Sequence, residues 1–161
     1  MGSADRQIRA SSVAVASFTL LHIDQTMLLI PRGDVRALEL AIDMDRQACP
    51  AGGTGWIAFG QQRCPVYCPS AELDWRADLP PDRNVCALIG AGSHIFGLLC
   101  GEVALVNSDD IALHKMPAAM AAADSPFRQL AIHGSRLACV SSAEEIFARL
   151  PAHETARTEG L

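Results

Sequence analysis

Short apolar runs separated by tight turn residues organise this chain, and helical periodicity is confined to its end. Ser12–His22 alternates loosely and is rich in β-formers, Asp24-Gln25 reads as a turn, and Thr26–Ile30 is a second apolar run closed by Pro31 and Gly33, so the opening predicts a hairpin. Asp34–Ile42 fits a strand or a helical turn equally well, and residues 43–55, with Pro50 and two adjacent glycines, read as a loop. Trp56–Phe59 and Arg63–Tyr67 predict two further short strands around Gly60. Pro69–Pro81 reads as a connector with one helical turn at Ser70–Trp75, and Pro80-Pro81 marks a boundary.

The second half follows a similar scheme. Val85–Ile89, a Gly90-Ala91-Gly92-Ser93 turn, His94–Cys100 and Val103–Val106 predict strands, followed by a polar loop and the Met116–Pro126 segment. Leu130–Ile132 and Leu137–Val140 flank a His133-Gly134-Ser135 turn. The clearest helix comes last: Ser142 stands as N-cap with Glu145 three residues on, and Ile146, Phe147 and Leu150 supply an apolar face before Pro151. Leu28-Leu29 preceding Val35–Leu38 matches Leu98-Leu99 preceding Val103–Val106 about 70 residues later. Ile57–Arg63 and Leu130–Arg136 match at nearly the same offset, so the order of blocks suggests two similar β modules.

Composition narrows the functional classes. Half of the 161 residues are hydrophobic and 19% are charged, which gives enough burial for a folded domain and argues against disorder. The formal net charge of -5, with Lys115 as the only lysine, provides no basic field for nucleic acid or anionic membranes. The longest apolar stretch, Val13–Ile30, is interrupted by Ser17, His22, Asp24 and Gln25 and falls short of the roughly 18 to 20 uninterrupted apolar residues of a spanning helix, so no direct membrane insertion is expected. The start of the chain lacks the compact apolar stretch of a secretory leader, and the six cysteines read as reduced thiols, so a cytoplasmic protein is expected.

Candidate chemistry is thin. Cys64 and Cys68, with Cys49 upstream, suggest a thiol-dependent enzyme or a metal-binding module, but the Cys-x3-Cys spacing differs from the Cys-x2-Cys pairs of structural zinc sites. Cys86, Cys100 and Cys139 lie in apolar strands and read as core. His94 and His133 fall in turns, and Asp109-Asp110 and Glu144-Glu145 are adjacent carboxylates with no shared target. Gly90–Gly92 and Ala51–Gly55 lack the Lys-Ser/Thr of a phosphate loop and read as turns. Trp56 and Phe59, beside Gly60, fit either an exposed interface anchor or core, and Met116–Ala123 fits a short amphipathic helix or a packed connector.

Phe18–Leu21, Asp24-Gln25, Met27–Ile30, Val35-Arg36, Phe59-Gly60, Cys64-Pro65-Val66 and above all Phe96–Val103 occur in an order that resembles the CheW-like family of chemosensory coupling domains. Leu130–Gly134, Arg136–Val140 and the Ser142–Leu150 helix extend the likeness over most of the chain. The chain departs from the family pattern at Phe59, Gly101 and Ser141, which stand where the family has Arg, Asp and Asp, and in an extra residue between Gly60 and Pro65. It also lacks the aspartate that follows the proline strand.

The resemblance implies a mainly β, CheW-like fold of two intertwined five-stranded SH3-like β-barrels with short helices and a C-terminal helix. Residues 13–150 would form the domain, between a flexible N-terminus over 1–12 and a polar tail over 151–161. It implies a non-enzymatic adaptor without a cofactor that joins chemoreceptor cytoplasmic tips to the regulatory domain of a CheA-type histidine kinase, in chemotaxis or pilus motility, with a homodimer as a further arrangement. By the same resemblance the contact residues are Val35, Arg36, Phe59, Gly60, Gly101 and Glu102.

Overall fold

Four strands at the centre of the molecule are apolar on both faces because each separates two cores. In the computed structural model, which describes residues 17–120 and 125–151, these are β1 (Ser17–Ile23), β2 (Thr26–Pro31), β7 (Val85–Ala91) and β8 (His94–Cys100). Leu21, Ile23, Leu28 and Ile30 point into a shared core with Ala87, Ile89, Phe96, Leu98 and Tyr67. On their other faces Leu20, Met27 and Leu29 fill one module with Val106, Ala131 and Val140, while Cys86, Leu88 and Leu99 fill the other with Ile57, Cys64 and Val66. This is why Met27–Ile30 and Cys86–Ala91 read as continuous apolar runs, since a strand covered on both sides has no polar face to alternate with.

The remaining strands are β3 (Val35–Leu40), β4 (Gly55–Phe59), β5 (Gln62–Pro69), β6 (Trp75–Arg76), β9 (Val103–Asn107), β10 (Ile111–Lys115), β11 (Gln129–His133) and β12 (Arg136–Val140). They form two curled half-barrel sheets, one ordered β10-β11-β12-β2-β1-β9 and the other β3-β7-β8-β5-β4 with β6 beside β5. Read strand for strand, β11-β12-β2-β1-β9 corresponds to β4-β5-β8-β7-β3, and the parallel pair is β12 with β2 in one sheet and β5 with β8 in the other. Each sheet thus carries the expected five-strand core plus one added strand, β10 or β6.

The two matched blocks of sequence therefore mark a real duplication, but the modules are not the two halves of the chain. After the β1–β2 hairpin the chain crosses to pair β3 with β7, and after the β7–β8 hairpin it crosses back to pair β9 with β1. Each sheet therefore joins the first hairpin of one repeat to the remaining strands of the other, which interlocks the modules. Turn backbones match as well: Asp24 and Gly92 close the first hairpin of each repeat with φ of 55° and 62°, and Gly60 and Gly134 close the second with φ of 62° and 64°.

Several local expectations change. Asp34–Ile42 resolves as strand β3 flanked by two 3-10 turns. Ser70–Trp75 is a non-helical turn in which Leu73 takes φ of 59°. The segment after Val106 contains β10, whose exposed Ala112, Leu113, His114 and Lys115 carry no strand alternation. Residues 116–120 form a turn with Met120 N–H donating to Pro117 O at 2.8 Å, and 121–124 lie outside the described residues. So do the expected terminal segments, Pro151 excepted. The final helix, α1 (Ala143–Phe147), packs Ile146 into the shared core, and Ser142 Oγ accepts from Glu145 N–H at 3.3 Å. Only half of the capping box forms, because the Glu145 carboxylate turns to Arg128.

One feature of the packing had no precursor in the sequence reading. Arg83 is fully buried and ties the sheets together: its Nη1 donates to Pro69 O at 2.8 Å and Leu99 O at 2.9 Å, while Nη2 donates to Asp24 Oδ1 at 2.8 Å. Pro69 and Leu99 belong to β5 and β8 of one sheet, and Asp24 to the hairpin turn of the other.

Candidate functional site

Edge strands carry unpaired backbone N–H and C=O groups, so proteins normally cover them or guard them with charge. Here the edges β3 and β9 belong to different sheets and line one depression together with Thr19 and Arg32. Along β3 the exposed residues are Arg36, Leu38 and Leu40. Leu38 is 52% exposed, Leu40 59% and Leu105 on β9 65%, and Ile42, in the turn after β3, is 87% exposed. Of these, Leu38 and Leu105 line the depression itself, and exposed apolar side chains grouped in this way are of the kind found at sites where other molecules bind.

The sequence-predicted contact residues fall in three separate places. Val35 and Arg36 line the β3–β9 depression. Phe59 and Gly60 lie at the β4–β5 turn, where Phe59 packs half-buried against the Ile57–Cys64 core and Gly60 lies in a second depression with Trp56, Asp43 and Asp45. There the Arg63 guanidinium lies 4.8 Å over the Trp56 ring and 3.1 Å from Asp45. Trp56 and Phe59 are thus both half-buried, Phe59 against that core and Trp56 beneath Arg63. Gly101 and Glu102 form the β8–β9 turn, clamped by His22: Gly101 N–H donates to His22 O, and His22 N–H donates to Glu102 O, both at 2.9 Å. Their surroundings are a polar groove with Asp24, Asp82, Asn84 and Arg136. The six residues do not converge on one site.

Sequence reasoning missed the exposed leucines. The segment fits a strand or a helical turn equally well by sequence, and only the assembled sheets show that the face of β3 carrying Leu38 and Leu40 is left uncovered. The signal available was the unusual number of large apolar residues in Leu38–Ile42 immediately before a polar loop.

The thiols do not form a reactive centre. Burial pushes the Cys64 and Cys68 thiols up, although the Arg83 guanidinium pulls Cys68 back in part, and burial pushes Cys86 and Cys100 up to about 12. A nucleophile or metal ligand needs the opposite shift. Cys49 is exposed, with its Sγ donating to Thr54 O at 3.2 Å. Among the described residues no three His, Cys, Asp or Glu side chains gather as ligands. His94 stands at the start of β8, stacked on Phe147 with centroids 4.7 Å apart, and His133 ends β11. The described residues contain no helix long and apolar enough to cross a membrane.

Two interlocked half-barrels with exchanged first hairpins, whose edges β3 and β9 lie side by side, define a divergent CheW-like fold. No family model and no curated protein matches the sequence. Among solved structures the chain is similar to the crystal structure of the scaffolding protein TtCheW from Thermoanaerobacter tengcongensis, with a TM-score of 0.59 and 10% identity, over 85% of this chain and 94% of that one. At that identity the likeness is one of backbone arrangement.

Proposed function

We propose that this protein is a non-enzymatic adaptor that couples chemoreceptor cytoplasmic tips to the regulatory domain of a CheA-type histidine kinase, in the cytoplasm, in a chemotaxis or pilus-motility pathway. The observation that carries the proposal is the depression between β3 and β9, where two sheet edges and the exposed Leu38 and Leu105 offer apolar contacts to a docking segment. The scaffolding role named for the solved structure of like fold points the same way. In this reading Val35 and Arg36 contact a receptor helix laid along the depression. Phe59-Gly60 and Gly101-Glu102 serve as separate contacts, so that two partners can bind at once.

The test is a titration of purified protein against a CheA-type regulatory domain and against a receptor-tip fragment, by calorimetry and co-sedimentation. Saturable binding to each, and a ternary complex with both, is the expected result. Absence of binding to either partner at high micromolar concentration refutes the coupling role.

A further inference from the structure

Arg36 is aimed by two features of the backbone around it. The β3–β7 ladder runs Val35 against Ile89 and then Ala37 against Leu88, so two steps on β3 oppose one on β7 and Arg36 is the extra, bulged residue. A bulge of this kind re-aims the side chain it carries. The side chain then crosses the backbone of Gly90 on β7 so closely that a Cβ there would lie 2.4 Å from Arg36 Nε and 3.1 Å from its Cζ and Nη2. Gly90 is buried in the middle of a strand, and its φ lies outside the range that strains an L residue. Its missing side chain therefore serves clearance rather than backbone freedom. Among the described residues Arg36 has no ion-pair partner, and the depression it lines sets Val35, Leu38, Val103 and Leu105 beside Thr19 and a second arginine, Arg32.

We propose that the β3 bulge and the clearance over Gly90 position the Arg36 guanidinium at the margin of the β3–β9 depression, making it selective for a partner segment that brings one acidic side chain among apolar ones. This rests on the docking reading above and adds the charge that the partner must supply. An arginine beside apolar side chains is a strong discriminator, because a partner lacking the acid leaves the guanidinium desolvated and unpaired on docking, whereas a matching carboxylate gains a charge-assisted hydrogen bond. Gly90 acts as a positioning residue. Any side chain there must displace the flexible end of Arg36, and that displacement leaves the strand itself undisturbed.

The experiment compares wild type with Gly90→Ala, Arg36→Ala and the double variant. Their thermal stability, the nuclear Overhauser contact between the Arg36 side chain and Gly90 Hα, and binding to a receptor-tip fragment are measured. That fragment is used in its native form and with the acidic residues of its tip changed to the corresponding amides. Gly90→Ala should melt with the wild type, and the Overhauser contact should be present in the wild type. Arg36→Ala and Gly90→Ala should each weaken binding about tenfold, and the double variant no further. The amide fragment should bind the wild type as weakly as the native fragment binds Arg36→Ala. Where Gly90→Ala loses stability, the double variant should restore it, since shortening residue 36 removes the clash. A wild type that binds no tip fragment overturns the docking reading. A wild type that binds while Arg36→Ala or Gly90→Ala binds equally well, or that lacks the Overhauser contact, overturns the Arg36 assignment alone.

Discussion

Replacing Arg83 by methionine is the perturbation that most directly tests how the two half-barrels are held together. The wild-type guanidinium donates to the carbonyls of Pro69 and Leu99 at 2.8 and 2.9 Å, and charged-donor bonds of this kind are worth about 1.5 to 3 kcal/mol each. The ion pair with Asp24 adds no more than about 1 kcal/mol, because that carboxylate is 34% exposed and screened by water. Against these stand the desolvation of the guanidinium and its Nε, which is buried without a partner and costs about 1 to 3 kcal/mol. Methionine fills similar volume and removes that penalty, but it takes a charged donor away from two carbonyls in the interior. The balance is a loss of about 3 kcal/mol, the lower end for removing one member of a buried pair. For a chain of this length that corresponds to about 6 to 12 °C in Tm.

Asp24→Asn separates the charge from the geometry. Asparagine keeps an acceptor and tolerates φ of 55°, so this variant should lose only about 1 kcal/mol. Urea titration followed by fluorescence reads both variants, since Trp75 packs against the shared core and its Nε1 donates to Arg149 O at 2.8 Å. An Arg83→Met protein within 1 kcal/mol of wild type, or an Asp24→Asn protein that is the weaker of the two, would refute this account of the junction.

Ser142→Ala removes the acceptor for Glu145 N–H at the start of α1 and should cost about 1 kcal/mol by urea titration, with no loss in Ser142→Asp. Gly60→Ala meets no atom within 4 Å, so its cost, about 1 to 2 kcal/mol, comes only from forcing φ of 62° on an L residue, and Gly60→Asn should recover part of it. Ellman's reagent at pH 8 should modify Cys49 at once in the native protein and reach Cys64, Cys68, Cys86 and Cys100 only on unfolding. Cys86 and Cys100 bind their protons more tightly folded, near 12, than unfolded, near 9.0, so their contribution is complete below pH 9 and is lost as pH rises from 9 toward 12. That loss is about 1.4 kcal/mol per pH unit for each thiol. Alkaline titration of the Cys86→Ala variant should show a shallower decline, and an unchanged slope counts against buried thiols as its source.

Much of the fold is legible along the chain because hairpins are local objects. Asp24-Gln25, Gly60, Gly92 and Gly134 mark their turns by the residue types that tolerate positive φ, and the strands beside them follow from apolar runs between such points. The duplication is also legible along the chain, since similar blocks recur in the same order about 70 residues apart. The helix declares itself through Ser142 and its apolar face. What strand pattern does not carry is the partner of each strand. Val35–Leu40 alternates in the same way whether it pairs beside β2 or crosses to β7, and only the joint packing of Leu21, Ile89, Phe96 and Tyr67 between the sheets decides for exchange.

That exchange then sets the properties that matter for function. It puts β3 and β9 at neighbouring edges, turns Leu38, Leu40 and Leu105 outward, and leaves Arg36 on a bulge over Gly90. It also encloses Arg83, a residue that reads as solvent-exposed beside Pro80-Pro81, because the two sheets close over it from both sides. Burial and edge position are properties of the assembled sheets, summed over residues distant in the chain, and no window of sequence contains them. The amino-acid order specifies two similar β modules and their turns, whereas the surface formed by β3 of one sheet and β9 of the other exists only once the modules have traded hairpins.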